Sequence, residues 1–257
     1  MSYFVRTGEL EYKATEHTGG AWNTQEQHIA PALGLMAHVL EKHRQAEAPG
    51  LQPARLSYDI LGTLPIGAVS LQAETVRSGR TVQLVEVTLS SAGRPAARLR
   101  AWLMAQFDTT SVQETTLEPI ADRESMQPWG ATEVWPGGFI ASLDGRRRPL
   151  GAGRAQAWLR TEHPLVAEEE VSDFARFCGL LDTANGVAPR AEPTQVAFPN
   201  LDLTISFLRM PQAGWVGYDT SVSFGPTGMG VTHSVVHDAE GPVGVMSQSL
   251  TVRPIQA

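Results

Sequence analysis

The sequence predicts an α+β protein built from two tandem copies, each with a long helix wrapped by a curved antiparallel sheet. Two observations carry this. The first is order: a strand-like segment, an amphipathic helical segment and four further strand-like runs occur before residue 108, and the same series recurs after residue 137. The second is spacing. Leu64-Pro65 and Met210-Pro211 break the chain 146 residues apart, and the turns Gly93-Arg94-Pro95 and Glu240-Gly241-Pro242 lie 147 residues apart. Agreement within one residue at two separate turns points to an internal duplication. A helix laid across a sheet lets each copy bury both of its apolar faces. The expected units are 1–110 and 138–257, with 111–137 as a connector.

Residues 3–14 have the aromatic and β-branched content of a strand or hairpin. A helix follows over about 27–43. Asn23 or Thr24 can cap it, and Ile29, Leu33, Met36, Val39 and Leu40 form its apolar stripe. Strand-like runs at 54–64, 68–78, 80–91 and 95–107 are separated by short Gly- and Pro-containing turns, as in an antiparallel meander. Residues 108–137 lose periodicity and gain Thr, Glu and Pro. The second copy opens with a strand, a turn at Asp144-Gly145 and another strand over 138–162. Its helix is expected over 168–187 and its last four strands at about 196–209, 214–224, 229–238 and 243–253.

In that second helix Val171, Phe174, Cys178 and Leu181 make one apolar stripe, and Glu168, Glu169 and Glu170 load the first turn, where the helix dipole favours anions. Asp182 departs from this logic. It shares the edge of the buried stripe and lies in the last turn, where the dipole disfavours a negative charge. Two uses are open to it: a chemical role, or a local bond near the helix end.

The last strand places Gly244, Met246, Gln248, Leu250 and Val252 on one face. Gln248 is therefore an amide among apolar neighbours, and without partners it would cost ~1 to 3 kcal/mol. At the 147-residue offset Ala101 stands opposite Gln248, and Leu35, give or take one residue, opposite Asp182. The second copy thus carries an acid and an amide where the first carries hydrocarbon. Gln248 either bonds a backbone group and is inert, or pairs with the inward edge of the helix carrying Asp182.

Composition narrows the function classes. No apolar run reaches the ~20 residues of a membrane span, and the N-terminus has no apolar signal-peptide core, so a cytoplasmic protein is expected. A net charge of −7 and a pI near 5.5 argue against nucleic acid as a partner. Cys178, the single cysteine, excludes an internal disulfide and a multi-cysteine metal site, and its stripe position marks it as a packing residue.

The double copy, the Asp near the end of the second helix and the terminal segment Gly244-Val245-Met246-Ser247-Gln248-Ser249-Leu250 resemble the acyl-CoA thioesterase II type of double hot-dog protein. The resemblance covers nearly the whole chain. It implies an Asp, a Gln and a Thr or Asn acting together, which fall on Asp182, Gln248 and Asn200, with Thr204 or Ser206 as alternates to Asn200. It also implies acyl-CoA as substrate and water attack on the thioester, with Asp182 as base and backbone N–H groups at a helix start for the oxyanion. No cofactor or metal is implied, and self-association of the chain is expected. Gly20-Ala21-Trp22-Asn23 with Gln27-His28 resembles the entry to the first helix. Many relatives continue with two glycines, where this chain has Ile29-Ala30.

No Gly-x-Ser-x-Gly nucleophile elbow occurs. Other residues receive plainer expectations. His233 and His237, ~13 Å apart on a strand, cannot share a metal and are expected to face solvent. Arg146, Arg147 and Arg148 are expected at a solvated hairpin tip rather than on coenzyme A phosphates. His28 is either a polar residue in the first turn of its helix or a wall of a vestigial pocket in the first copy. Trp102 and Trp158 are expected as core or interface aromatics. Two other functions fit the same pattern: an acyl-CoA-binding module without turnover, and a hydratase-like enzyme. Against the second, no Asp-x-Asn-Pro-x-His segment is present.

Overall fold

The computed structural model describes residues 1–255. Strands β1 (Phe4–Arg6) and β2 (Glu11–Ala14) form the opening hairpin, and α1 (Ile29–Glu47) follows. Next come β3 (Leu51–Ile60), β4 (Ala68–Arg77), β5 (Val82–Ser91) and β6 (Arg94–Ala105). The second half contains β7 (Gln127–Pro128), α2 (Gly138–Ala141), β8 (Leu143–Gly151) and β9 (Arg154–Thr161). It continues through α3 (Asp173–Cys178), a 3₁₀ turn (Leu181–Thr183), α4 (Ala184–Val187) and β10 (Val196–Ala197). Strands β11 (Asp202–Phe207), β12 (Val216–Phe224), β13 (Met229–Asp238), β14 (Gly241–Thr251) and β15 (Arg253–Pro254) complete it.

Thirteen strands make one antiparallel sheet in the order β1-β2-β4-β5-β6-β3-β11-β14-β13-β12-β9-β8-β7. Its centre is the β3–β11 pair. There Ser57 faces Thr204, and the register runs symmetrically outward, Leu56 to Ile205 and Tyr58 to Leu203. Ser57 and Thr204 are 147 residues apart, the spacing expected from the sequence for two copies, and their hydroxyls meet at 2.9 Å.

Helix α1 is buried all round from Ala30 to Glu41, which explains its apolar character on more than one face. His28 caps it through its ring; Asn23 and Thr24 do not. Gly34 is where α1 crosses the second half's helix. A Cβ on Gly34 would lie 2.8 Å from Gly179 Cα and 3.0 Å from Ala175 O, so the backbones approach as closely as two glycines permit.

The single helix expected over 168–187 is instead broken. Residues 168–170 are not helical; Glu169 is drawn away to Arg6, His38 and Lys42. Ser172 caps α3 by accepting from Ala175 N at 3.2 Å. After Gly179 the α pattern stops, because the Leu180 carbonyl is taken by the Tyr218 and Thr183 hydroxyls, both at 2.8 Å. Asp182 therefore sits in a 3₁₀ turn.

Three other expectations are corrected. Asp144-Gly145 is not a turn: both residues lie inside β8, paired with Arg160 and Leu159. The arginine run is accordingly within a strand, and Arg147 Nε donates to Val187 O at 2.6 Å. His233 is exposed, but His237 is buried, with Nε2 3.0 Å from Glu118 O. It is on the outward face of β13, as alternation requires, and the segment 118–121 covers it. The same segment accepts from Trp158 Nε1 through Ala121 O at 2.9 Å. The connector is thus packed structure.

Candidate active site

Three of the sequence-predicted polar residues converge. The 3₁₀ turn after α3 points the Asp182 side chain inward, and only 4 % of the residue is exposed. The inward face of β14 delivers Gln248, whose Nε2 donates to Asp182 Oδ1 at 3.0 Å. Asn200 stands just before β11, bridged to Leu250, and its Nδ2 donates to the same oxygen at 2.6 Å. It also donates to Asp202 O at 3.0 Å, while Asp202 Oδ1 accepts from Ser249 N at 2.6 Å, tying the Asn200 turn to β14. Leu35 and Ala101, set opposite them by the sequence offset, are fully buried hydrocarbon.

Thr204 is not part of this cluster. Its hydroxyl bonds Ser57 on the outward face of the sheet, and Ser206 is exposed on that face, while Leu203 and Ile205 point inward. Cys178 is wholly buried, and burial pushes its thiol well above the usual range, which suits packing and not nucleophilic attack.

Burial governs the charge of Asp182. Removing the carboxyl from water disfavours its ionised form and raises the pKa from 3.8 to about 7, against the lowering effect of the Asn200 and Gln248 hydrogen bonds. Both bonds fall on Oδ1. Oδ2 takes no bond among the described residues, and Asp182 lines a cavity of about 510 Å³. A carboxylate with one oxygen anchored, the other open and a pKa near neutrality is equipped to take a proton at physiological pH.

The cavity draws on both halves and on the connector. The first half supplies Trp22, His28 and Leu64, the connector Trp129 and Trp135, and the second half Asp182 and Asn200. Trp22 meets Trp135 and Phe198 edge to face, with centroids 5.1 and 5.2 Å apart, and Trp135 Nε1 donates to Gly186 O at 3.1 Å. Sequence reasoning missed the two connector tryptophans, since an aperiodic stretch gives no face to assign. It also left His28 in a vestigial pocket or an ordinary helix turn. His28 lines the same cavity as Asp182, with Nδ1 accepting from Ala30 N at 3.1 Å. Among the described residues no group of three or more His, Cys, Asp or Glu side chains is arranged to hold a metal ion, and no helix is long and apolar enough to cross a membrane.

Solved structures similar to this one share the architecture across almost the whole chain. A protein of unknown function with the hot dog fold from Alicyclobacillus acidocaldarius superposes with a TM-score of 0.74 at 14% identity, covering 98% of this chain and 96% of that one. Acyl-CoA thioesterase II TesB2 from Mycobacterium marinum does so with a TM-score of 0.69 at 18% identity, over 98% and 96% of the two chains. The dehydratase domain from the CurF module of curacin polyketide synthase matches with a TM-score of 0.55 at 12% identity, over 99% and 98%. At these identities the likeness shows the fold, which is the hot-dog fold. No curated protein matches the chain in sequence. The family model for the acyl-CoA thioesterase N-terminal domain matches residues 18–104, and that for the acyl-CoA thioesterase C-terminal domain matches residues 114–252. With the second model alone spanning more than half of its length, the chain belongs to the acyl-CoA thioesterase family.

Proposed function

We propose that this protein is a double hot-dog enzyme, with units 1–110 and 138–257, that hydrolyses a fatty or other acyl-CoA thioester to the free acid and coenzyme A. The observation that carries the proposal is the Asp182 carboxylate, buried, held on one oxygen by Asn200 and Gln248, and placed at the wall of an aromatic and aliphatic cavity. The acyl group occupies the cavity. A water molecule on Asp182 Oδ2 attacks the thioester carbonyl carbon while Asp182 accepts its proton. The carbonyl electron pair moves to oxygen, giving a tetrahedral oxyanion. On collapse that pair re-forms the carbonyl, the C–S bond breaks, and the departing sulfur takes the proton from Asp182. No covalent enzyme intermediate is needed. Asn200 and Gln248 keep Asp182 in place and favour its ionised form.

The test is thiol release from short, medium, long and aromatic acyl-CoA substrates by the wild type and by Asp182→Asn. The substitution keeps the shape and removes the base, so turnover should fall ~100-fold or more while a non-hydrolysable acyl-CoA analogue binds as before. Binding without thiol release in the wild type would favour an acyl-CoA-binding module instead. Hydration of crotonyl-CoA without thiol release would favour the hydratase-like alternative.

A further inference from the structure

His28 holds a position that the hydrolytic scheme above does not use. Its ring is the N-cap of α1: Ala30 N–H donates to Nδ1 at 3.1 Å. A ring nitrogen that accepts carries no proton, so in the neutral imidazole the hydrogen resides on Nε2. Phe139, fully buried, packs against the ring with centroids 4.6 Å apart and fixes its plane. The ring lines the cavity that Asp182 lines, and Nε2 has no hydrogen-bond partner among the described residues. Burial lowers the pKa of His28 to about 4, and the positive end of the α1 dipole acts in the same direction, so the group is a neutral donor at working pH.

The start of α1 explains why such a donor is needed. A helix N-terminus ordinarily offers several free N–H groups to an anion. Here Pro31 has none and that of Ala30 is spent on the ring; the N–H of Ile29 has no backbone partner among the described residues. One backbone donor therefore remains where two or more would be usual. The imidazole returns what it consumes: accepting at Nδ1 polarises the ring and strengthens Nε2–H as a donor. A neutral imidazole seated on a helix N-terminus is a known means of polarising a carbonyl without surrendering a proton.

We propose that His28 is a catalytic residue whose Nε2–H donates to the thioester carbonyl oxygen and holds the oxyanion formed when water adds. The proposal rests on the thioesterase assignment above. No proton leaves His28; the hydrogen bond shortens as the carbonyl pair becomes an oxyanion and relaxes when the C–S bond breaks.

The variant His28→Asn separates this role from capping. Asparagine is a good N-cap, so its amide oxygen can still accept from the first turn, but it has no donor at the reach of Nε2. With an acyl-CoA substrate, His28→Asn should keep its Tm within about 2 °C of wild type and its KM within about threefold, while kcat falls ~100-fold. His28→Ala should lose both kcat and Tm. A wild-type kcat in His28→Asn would show that the ring only caps the helix, and a defect confined to KM would make it a binding contact; either overturns the proposal. A second measurement does not depend on turnover. In the ¹⁵N-labelled protein, an acyl-CoA ketone analogue with CH₂ in place of the thioester sulfur should move the His28 Nε2–H resonance downfield. Absence of that shift on saturated protein overturns the proposal, whereas the shift without any thioester hydrolysis would leave the donor in place and overturn only the thioesterase assignment.

Discussion

Asp182 shows how one residue gathers its chemistry from its surroundings. Burial alone would leave a neutral acid unable to act as a base, and full solvation would leave a weak base of ordinary carboxylate pKa. The two amide donors on Oδ1 offset part of the burial and bring the group to about 7. As a base it works only when ionised, so kcat/KM should rise with pH along a limb centred near 7 and reach a plateau above about 8. Asn200→Ala and Gln248→Ala each remove a bond that favours the charged form, so each should move that limb to higher pH. A pH–rate series on the three proteins checks this. A limb that stays in place in both variants would detach the amides from the titration of Asp182.

Among the elements, the pair of crossing helices decides where Asp182 stands. α1 and α3 touch backbone to backbone at Gly34 and Gly179, so the segment after Gly179 begins at a fixed height above the sheet. The Tyr218 hydroxyl then holds the Leu180 carbonyl and converts the chain into the 3₁₀ turn that aims Asp182 at Asn200 and Gln248. Gly34→Val would drive its side chain into Gly179 and Ala175. Overpacking of this kind should lower stability by ~1 to 3 kcal/mol, read as a reduced urea midpoint, and activity should fall beyond the loss of folded protein, because α3 and the 3₁₀ turn that follows it with Asp182 must shift. A stable, fully active Gly34→Val protein would show that the crossing does not set the site.

On the scale of the whole molecule, the central β3–β11 pair joins the halves into a single sheet, and β1 also bonds the second half, Phe4 N to Leu165 O at 3.0 Å and Ala167 N to Phe4 O at 2.9 Å. Each half alone would expose a strand edge at β3 or β11 and the apolar sides of its helix. The protein should therefore unfold in one transition. Far-UV circular dichroism and tryptophan fluorescence should give coincident thermal curves, with calorimetric and van't Hoff enthalpies in agreement. Two resolved transitions would mean that the halves fold independently. The cavity belongs to the whole molecule in the same sense: the wall with Asp182 comes from one half, the wall with His28 from the other, and Trp129 and Trp135 from the connector between them.

Legible in the residues alone were the antiparallel strands of one large sheet, most of their positions, and two polar residues set against a hydrophobic pattern. Those features are legible because they are periodic: alternation fixes which face Gln248 occupies, and helical spacing puts Asp182 at the edge of an apolar stripe. Contacts between distant segments account for the rest. The break in the second helix required the Tyr218 hydroxyl to reach Leu180, 38 residues away. That Asn200 and not Thr204 bonds Asp182 follows from position: Asn200 stands just before β11, whereas Thr204 lies within it and turns its hydroxyl to Ser57. His237 faces outward as its strand predicts, yet it is buried because the connector lies over it, and no local pattern records that. His28 looks like any polar residue at a helix start until packing makes it part of the lining of the cavity that Asp182 also lines. Local periodicity reports a residue's own face, and only packing reports what lies opposite.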